Sequence, residues 1–517
     1  MSSISILWAD DEIDLLRLHV RFLEEKGISI RTTNSGDGAI DWVKQENYDI
    51  VFLDEQMPGM SGLEALAEIK RLKPETPVVM ITKSEEEFIM EEAIGSKISD
   101  YLIKPVNPNQ ILLSIKKILD QKRLITRKTT SDYQTEFRKI SMEIGACTNF
   151  KDWMALYRKL VYWELELERS EDHSMDEIML MQKQEANSEF ARFVRRNYED
   201  WFTRDFADRP MLSQDVFRHR VFNQLNESSP VLFVVIDNLR YDQWKILQPE
   251  ISNLFQVEQE ELYFSILPTS TQYARNAMFA GLMPSEIAKL YPEWWTYDEE
   301  EGGKNQHEMD LLGKQIQRLG MNVRFKYEKV TNSRAGKKLV DESNQLFQHP
   351  LSVVVYNFVD MLSHARTDSE MIRELAADEA AYRSLTLSWF KHSYLLDLLE
   401  VAAERKIRVV LSTDHGTIKV DNPVKIVGDR NTTTNLRYKA GKNLNYPAKE
   451  VFELLKPEKA FLPKSNVSTA YVFAQGNDFF AYPNNYNYYV NYYRNTFQHG
   501  GISMEEMMIP LITLKPR

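Results

Sequence analysis

The run Val231-Leu-Phe-Val-Val-Ile-Asp237 is six apolar residues long and stops on an acid. Two later stretches repeat the pattern, Val353-Val-Val-Tyr-Asn-Phe-Val-Asp360 and Val409-Val-Leu-Ser-Thr-Asp414-His415. Runs this continuous read as strands buried on both faces of a parallel sheet. Each would deliver a carboxylate to the strand's carboxyl end, where open α/β sheets bind ligands. His364 follows Asp360 by four residues, which places both on one side if a helical turn comes after the strand. His499 comes late, in His499-Gly-Gly-Ile-Ser-Met-Glu-Glu. Three of the nine histidines thus stand beside or near such acids. Carboxylate and imidazole together favour Zn²⁺, and Mn²⁺ or Mg²⁺ less as imidazole content rises.

Nearer the N-terminus the apolar runs are Ile4-Ser-Ile-Leu-Trp8, Ile50-Val-Phe-Leu53, Val78-Val-Met-Ile81 and Tyr101-Leu-Ile103, with amphipathic stretches between them. They predict a second parallel sheet covered by helices. Asp10, Asp11, Asp54, Thr82 and Lys104 then fall at its carboxyl edge. Three carboxylates there repel one another unless a hard divalent cation such as Mg²⁺ lies among them. A hydroxyl and an ammonium beside them suit an added phosphoryl group.

At 517 residues the chain is long enough for about three domains. Its 64 Lys and Arg against 76 Asp and Glu give a net charge of −12, which argues against coating duplex DNA. The single cysteine, Cys147, forms no intramolecular disulfide and suits a reducing compartment. The first apolar run meets Asp10 and Asp11 at once, unlike a signal peptide. No stretch of about 18 apolar residues occurs, so no membrane span and a cytoplasmic location are expected.

Between the two α/β regions, Lys122 to Asp132 reads as a helix end passing into a linker. Trp153, Leu156, Tyr157, Leu160, Trp163 and Leu167 then trace one helix face, and Phe190, Val194, Tyr198 and Trp201 a second. A small helical bundle is predicted, with these stripes as its core. Neither a basic recognition helix nor zinc-finger spacing is present. The six tyrosines from Tyr482 to Tyr493 read as a solvent-edge strand or loop.

The N-terminal pattern, with Asp54-Glu-Gln-Met-Pro-Gly-Met-Ser-Gly62 after its second run, resembles the response-regulator receiver family. The resemblance implies a flavodoxin-like (CheY-like) fold, Asp54 as phosphoacceptor, Asp10 and Asp11 with Asp54 holding Mg²⁺, Thr82 and Lys104 contacting the phosphoryl oxygens, and Tyr101 as the switch aromatic. Lys83 departs from the family, which usually has a small residue there, and this puts access to Asp54 in doubt.

From Pro230 onward the chain resembles the alkaline phosphatase superfamily, more narrowly its PglZ-type branch. The likeness rests on Asp237-Asn-Leu-Arg240, Leu267-Pro-Thr-Ser-Thr271, Asp360-x-x-x-His364, Asp414-His415 and His499-Gly-Gly. It implies two Zn²⁺, one on Asp360, His364 and His499, the other on Asp237, Asp414, His415 and Thr271. Thr271 takes the nucleophile's place, and Thr269 reads as a turn residue. A threonine nucleophile tilts the expected substrate toward phosphodiesters, nucleotide-like ones among them. Arg240 and Arg275 are the candidate phosphate clamps.

The expected layout is an α/β multidomain chain: a receiver at 1–122, a helical bundle or linker at 123–220 and an alkaline phosphatase superfamily α/β domain at 221–517. That order resembles the response regulators associated with type IX secretion in Bacteroidota. It implies a sensor histidine kinase as partner, a sigma factor or secretion component as a further one, and a homodimer formed on phosphorylation. A regulator whose metal domain only docks partners is the competing reading. Retention of Thr271 favours the enzyme, since a docking platform needs no nucleophile.

Overall fold

The computed structural model describes residues 4–83, 98–170, 173–225, 230–297, 300, 303–368, 370–429 and 432–517, apart from the side chains of 120–127 and 365–372. Two compact units result, Met1–Ser131 and Asp132–Arg517. In the first, strands β1 (Ile4–Ala9), β2 (Ile28–Thr33), β3 (Ile50–Asp54), β4 (Val78–Thr82) and β5 (Asp100–Ile103) form one sheet in the order β2-β1-β3-β4-β5. All pairings are parallel. This is the flavodoxin-like order, and its switch point lies between β1 and β3. Helices α1 (Arg17–Glu24), α2 (Gly36–Gln45) and α3 (Gly62–Leu72) cover the sheet, and β3 and β4 are buried throughout.

The next helix, α4, runs unbroken from Pro108 to Ala146, where the sequence reading ends a helix and starts a linker. No glycine or proline falls between Asn109 and Ile144, so nothing in the chain stops the helix. The boundary between the units lies within it.

In the second unit, α5 (Phe150–Glu168) starts at a capping box, Asn149 with Asp152. Helix α6 (Asp176–Trp201) follows. The stripes of both helices are buried, Trp163 only partly, and they pack into the core of the following sheet. Phe190 and Trp201 lie 5.9 and 5.3 Å, ring centre to centre, from Phe264. Tyr198 Oη accepts from Leu267 N at 2.7 Å, just ahead of the Thr269–Thr271 segment.

That sheet contains β6 (Val231–Ile236), β7 (Phe255–Phe264), β8 (Phe325–Val330), β9 (Leu351–Tyr356), β10 (Arg408–Ser412) and β11 (Met508–Pro516), in the order β7-β11-β10-β6-β9-β8. Strands β10, β6, β9 and β8 are parallel, with Ile236 level with Tyr356 and Ser412 with Val235. β11 is antiparallel to both β10 and β7. The carboxyl ends of β6, β7, β9 and β10 and the amino end of β11 therefore share one edge. Helix α7 (Tyr241–Leu247) follows β6, α8 (Phe358–Asp368) follows β9, and α9 (Glu379–Lys391) lies farther along. Strand β9 ends at Tyr356, so Asp360 stands on α8 rather than on a strand.

The tyrosine run differs from its sequence reading: Tyr486–Tyr493 is a helix, α10. Tyr488 with Tyr492, and Tyr489 with Tyr493, are four residues apart and stack at 6.2 Å, a helical spacing that outweighs strand propensity. A short last helix, α11 (Met504–Met507), leads into β11. Among the described residues no helix is long and apolar enough to cross a membrane.

Candidate metal centres

The seven candidate ligand residues come from five different connections at the same sheet edge. Asp237 follows β6, Asp360 and His364 sit on α8 after β9, and Asp414 and His415 follow β10. Thr271 opens a π-helical turn, Thr271–Arg275, after β7, and His499 precedes α11 and β11. They gather into two groups of three metal-ligating side chains, Asp360, His364 and His499 in one and Asp237, Asp414 and His415 in the other, their ligand atoms within 4.8 Å of one another in each. The groups adjoin: the His415 and His499 rings stack at 4.2 Å. Asn238 Nδ2 reaches Asp360 Oδ1 at 3.4 Å from a left-handed backbone, φ 65°, which asparagine tolerates. Thr271 Oγ1 lies 3.1 Å from His415 Nε2 and 3.5 Å from Asp237 Oδ1.

The imidazoles are set up to bind through Nε2. His415 Nδ1 lies 3.1 Å from Gly416 O and His499 Nδ1 3.2 Å from Thr269 O. A carbonyl only accepts, so each Nδ1 carries the proton and each Nε2 a free lone pair. Those lone pairs face carboxylates, His415 Nε2 with Asp237 Oδ1 at 3.8 Å and Asp414 Oδ2 at 3.6 Å, His499 Nε2 with Asp360 Oδ1 at 3.7 Å. Lone pair against carboxylate is repulsive without a cation between them. Burial, then the neighbouring His415 and His364, holds His499 well below its ordinary pKa and so neutral. Donor types, tautomers and charge all fit Zn²⁺.

Arg275, one turn past Thr271 and fully buried, was a phosphate-clamp candidate; it holds carboxylates instead. It pairs with Asp237 Oδ2, with Asp414 Oδ2 at 2.9 Å and with Glu308 Oε1 at 3.3 Å. Glu308 is also held by Lys329 at 3.1 Å and by the Tyr327 hydroxyl. Burial pushes the Asp237 carboxyl well above its ordinary range. Burial acts the same way on Asp414 but is outweighed by Arg275, which holds it ionised. A cation beside Asp237 would offset that burial and favour its ionised form. Arg240, the other clamp candidate, is equally buried and engaged, with Asp242 at 2.5 Å and Glu379 at 2.6 Å.

Thr269, read from sequence as a turn residue, is a buried brace. Its hydroxyl donates to Gly501 O at 2.9 Å and accepts from Gly500 N at 3.0 Å. Gly500 has φ 123°, and a Cβ there would lie 2.7 Å from the Tyr438 ring, which explains the glycines after His499. The signals for Arg275 and Thr269 were in the sequence as spacing from Thr271, but their partners are 139 and 232 residues away.

The first unit has an all-oxygen centre. Asp10, Asp11 and Asp54 bring carboxylate oxygens within 4.8 Å of one another, Asp11 from an exposed position. Lys104 Nζ bridges Asp10 at 2.9 Å and Asp54 at 3.1 Å. Burial, then Asp10, pushes the Asp54 carboxyl up to about 6 against the pull of Lys104. Oxygen ligands alone suit Mg²⁺. Thr82 Oγ1 donates to Glu55 Oε2 at 3.3 Å. Lys83 Nζ pairs with Glu12 Oε2 at 2.9 Å. Tyr101 is half-buried on β5.

Three family models match successive parts of the chain: a response regulator receiver domain over residues 6–116, a PorX response regulator linker domain over 123–202, and a BREX system PglZ alkaline phosphatase-like domain over 216–514. The last alone spans more than half of the chain. The chain belongs to the PglZ alkaline phosphatase-like family. With the receiver and linker in front, its architecture is PorX-like: a two-component regulator with a hydrolase-like effector domain. Curated relatives match over part of the chain. The transcriptional regulatory protein ResD of Bacillus subtilis is 35% identical over 114 residues, 22% of this chain and 47% of that protein. SrrA of Staphylococcus aureus is 31% identical over 147 residues, 28% of this chain and 61% of that one. The chain thus spans about half the length of the curated relatives it matches. Among solved structures, a CheY-like receiver domain protein from Methanospirillum hungatei is 26% identical, covering 23% of this chain and 96% of that one, TM-score 0.23. A two-component response regulator from Clostridium difficile is 32% identical with coverage of 23% and 96%, TM-score 0.22.

Proposed function

We propose that phosphorylation of Asp54 controls a zinc-dependent phosphoric ester hydrolase centred on Thr271, acting on nucleotide-like phosphodiesters and regulating type IX secretion. The observation that carries this reading is the Thr271 hydroxyl, 3.1 Å from His415 Nε2 and 3.5 Å from Asp237 Oδ1, beside two adjoining ligand groups. Asp360, His364 and His499 would hold one Zn²⁺, and Asp237, Asp414 and His415 with Thr271 the other. When bound, the pair supplies the charge that lowers the pKa of a hydroxyl and neutralises a phosphoryl group. Thr271 Oγ1 attacks phosphorus and the ester alcohol departs; water then hydrolyses the phosphothreonine. Arg275 keeps Asp237 and Asp414 facing the centre, and the Nδ1 contacts of His415 and His499 fix their rings.

In the receiver, Asp54 takes a phosphoryl group from a sensor histidine kinase. Asp10 and Asp11 would hold Mg²⁺ with it. Thr82 and Lys104 contact the phosphoryl oxygens, Tyr101 rotates, and the receiver's last strand and helix pair two copies into a dimer. A sigma factor or secretion component is the downstream partner, with duplex DNA not among the ligands.

Metal analysis should give about two Zn²⁺ per chain, and one fewer in each of His364→Ala and His415→Ala. Zinc-loaded protein should turn over aryl phosphodiesters faster than monoesters. Full zinc content in both variants, or no turnover of any ester in such a panel, would overturn the reading.

A further inference from the structure

A cavity of about 580 Å³ lies between α5 and α6 on one side and α9 and the 418–421 segment on the other. None of the seven zinc-ligand residues lines it. That volume is in the range of ligand pockets. Its apolar surface comes from Leu167, Met179 and Ile418, with Leu180 at the mouth, 55% exposed. Around this lie seven carboxylates against three cationic side chains, so the lining is net negative.

The two buried cations are already taken. Lys183 pairs with Glu164 at 2.8 Å and Glu505 at 3.4 Å. Arg383 pairs with Glu164 at 3.0 Å, with Asp242 at 2.8 Å and with Glu168. The carboxylates are still under-compensated. Burial raises Glu168 and Asp421 above the ordinary range despite their basic neighbours. Asp176 and Asp378 stand exposed at the rim. A cation with an apolar stem is what this lining lacks: methylenes for the floor, a charged head for the acids.

The walls narrow the source. A free polyamine carries only donors, whereas a peptide brings carbonyl oxygens with its lysines or arginines. The amides of Gln184, Asn477 and Asn495 on the walls can pair with the same backbone.

We infer that this cleft between the linker helices and the phosphatase-like domain is a docking site for a basic segment of a partner protein, an extended stretch alternating Lys or Arg with apolar residues. Binding there requires neither zinc nor turnover.

The test uses the full chain and a fluorescein-labelled peptide of alternating leucine and arginine, followed by anisotropy. Saturable binding is expected, weakened about ten-fold by Asp378→Asn/Asp421→Asn. Leu180→Trp should block it without any change of charge. Asp14→Asn/Glu25→Gln, which removes two exposed acids from the receiver surface, should leave it unchanged. Circular dichroism confirms that each variant is folded. Equal loss in the receiver control, or retention in Leu180→Trp, would show general electrostatic attraction and overturn the site. Displacement by spermidine at matched charge would make it a polyamine pocket and overturn the peptide assignment, as would the absence of saturation.

Discussion

The receiver pocket and the C-terminal centre are built alike and tuned apart. Each gathers carboxylates at the carboxyl edge of a parallel sheet, and each threads a protein cation through them. In the receiver the cation is Lys104, bridging Asp10 and Asp54 beside an exposed Asp11. In the C-terminal centre it is Arg275, wholly buried and pinned by Glu308. Lysine is a mobile point charge; arginine's fixed fork holds two carboxylates in a set geometry. An all-oxygen set suits Mg²⁺, whereas a set with three imidazoles, His415 buried, His499 largely so and His364 exposed, suits zinc. The difference teaches that the same strand-edge layout accepts a hard oxygen-only set in one unit and a mixed carboxylate and imidazole set in the other.

The comparison breaks most easily at Thr271. Thr271→Ala should lower aryl phosphodiester hydrolysis at least about 10³-fold while zinc content and folding are retained, because only the nucleophile is lost. Thr269→Ala should act through the His499 loop and be milder. Near wild-type rates in Thr271→Ala would move the chemistry to another group and leave the C-terminal centre without its defining atom.

Next in size is Arg275→Met, which leaves Asp237, Asp414 and Glu308 facing one another. We expect a loss of about 3–5 kcal/mol in stability without zinc, the usual cost of breaking a buried ion pair from one side. Added zinc should restore part of it, since a cation bound only to the folded state stabilises that state. Denaturant melts with and without zinc check this. A loss below about 1 kcal/mol would mean that the guanidinium is not what holds the centre's shape.

A smaller effect links the centres. Beryllofluoride on Asp54 should raise the mass seen by light scattering, and Asp54→Ala should not respond. Hydrolysis should shift with it by no more than the coupling allows, about 1–3 kcal/mol or 5- to 150-fold. An unchanged mass together with an unchanged rate would leave two independent modules.

Much of this was legible beforehand because several apolar runs ending in acid recur with histidines beside them; one such run alone is an ordinary strand end. Three of the connections at the C-terminal edge, after β6, β9 and β10, follow such runs, whereas Thr271 and His499 reach the edge without one. What stayed hidden depended on distant partners. Arg275 looked like a ligand for substrate phosphate because sequence shows its charge but not Glu308, Asp237 and Asp414 around it. Helix α4 was misjudged where polar residues suggested a linker, since polarity alone does not end a helix. The tyrosine run was misjudged because residue type was weighed above its four-residue spacing.

The smallest effect separates the centres by pH. Asp54 has its carboxyl raised from 3.8 to about 6 by burial and by Asp10. A folded pKa above the unfolded one means that the folded state binds more protons between those values. The stabilising contribution is therefore complete below about pH 4 and is lost as pH rises through 6. Above 6, without metal, the folded receiver carries a carboxylate it would sooner protonate. Asp54→Asn should then stabilise the receiver in EDTA at pH 7.5 by about 1–2 kcal/mol, allowing for solvent screening, and by almost nothing at pH 4. Magnesium should reverse the ranking at pH 7.5, since it stabilises the form with all three carboxylates. In the other centre, Asp237 also has a raised carboxyl, yet its Oδ2 is tied to Arg275. Asp237→Asn should therefore destabilise rather than stabilise at pH 7.5. Calorimetric scans of both variants across pH 4–8 decide the matter: an equal gain for Asp54→Asn at both ends of the range would assign it to packing, and a gain for Asp237→Asn would mean that Arg275 does not hold that carboxylate.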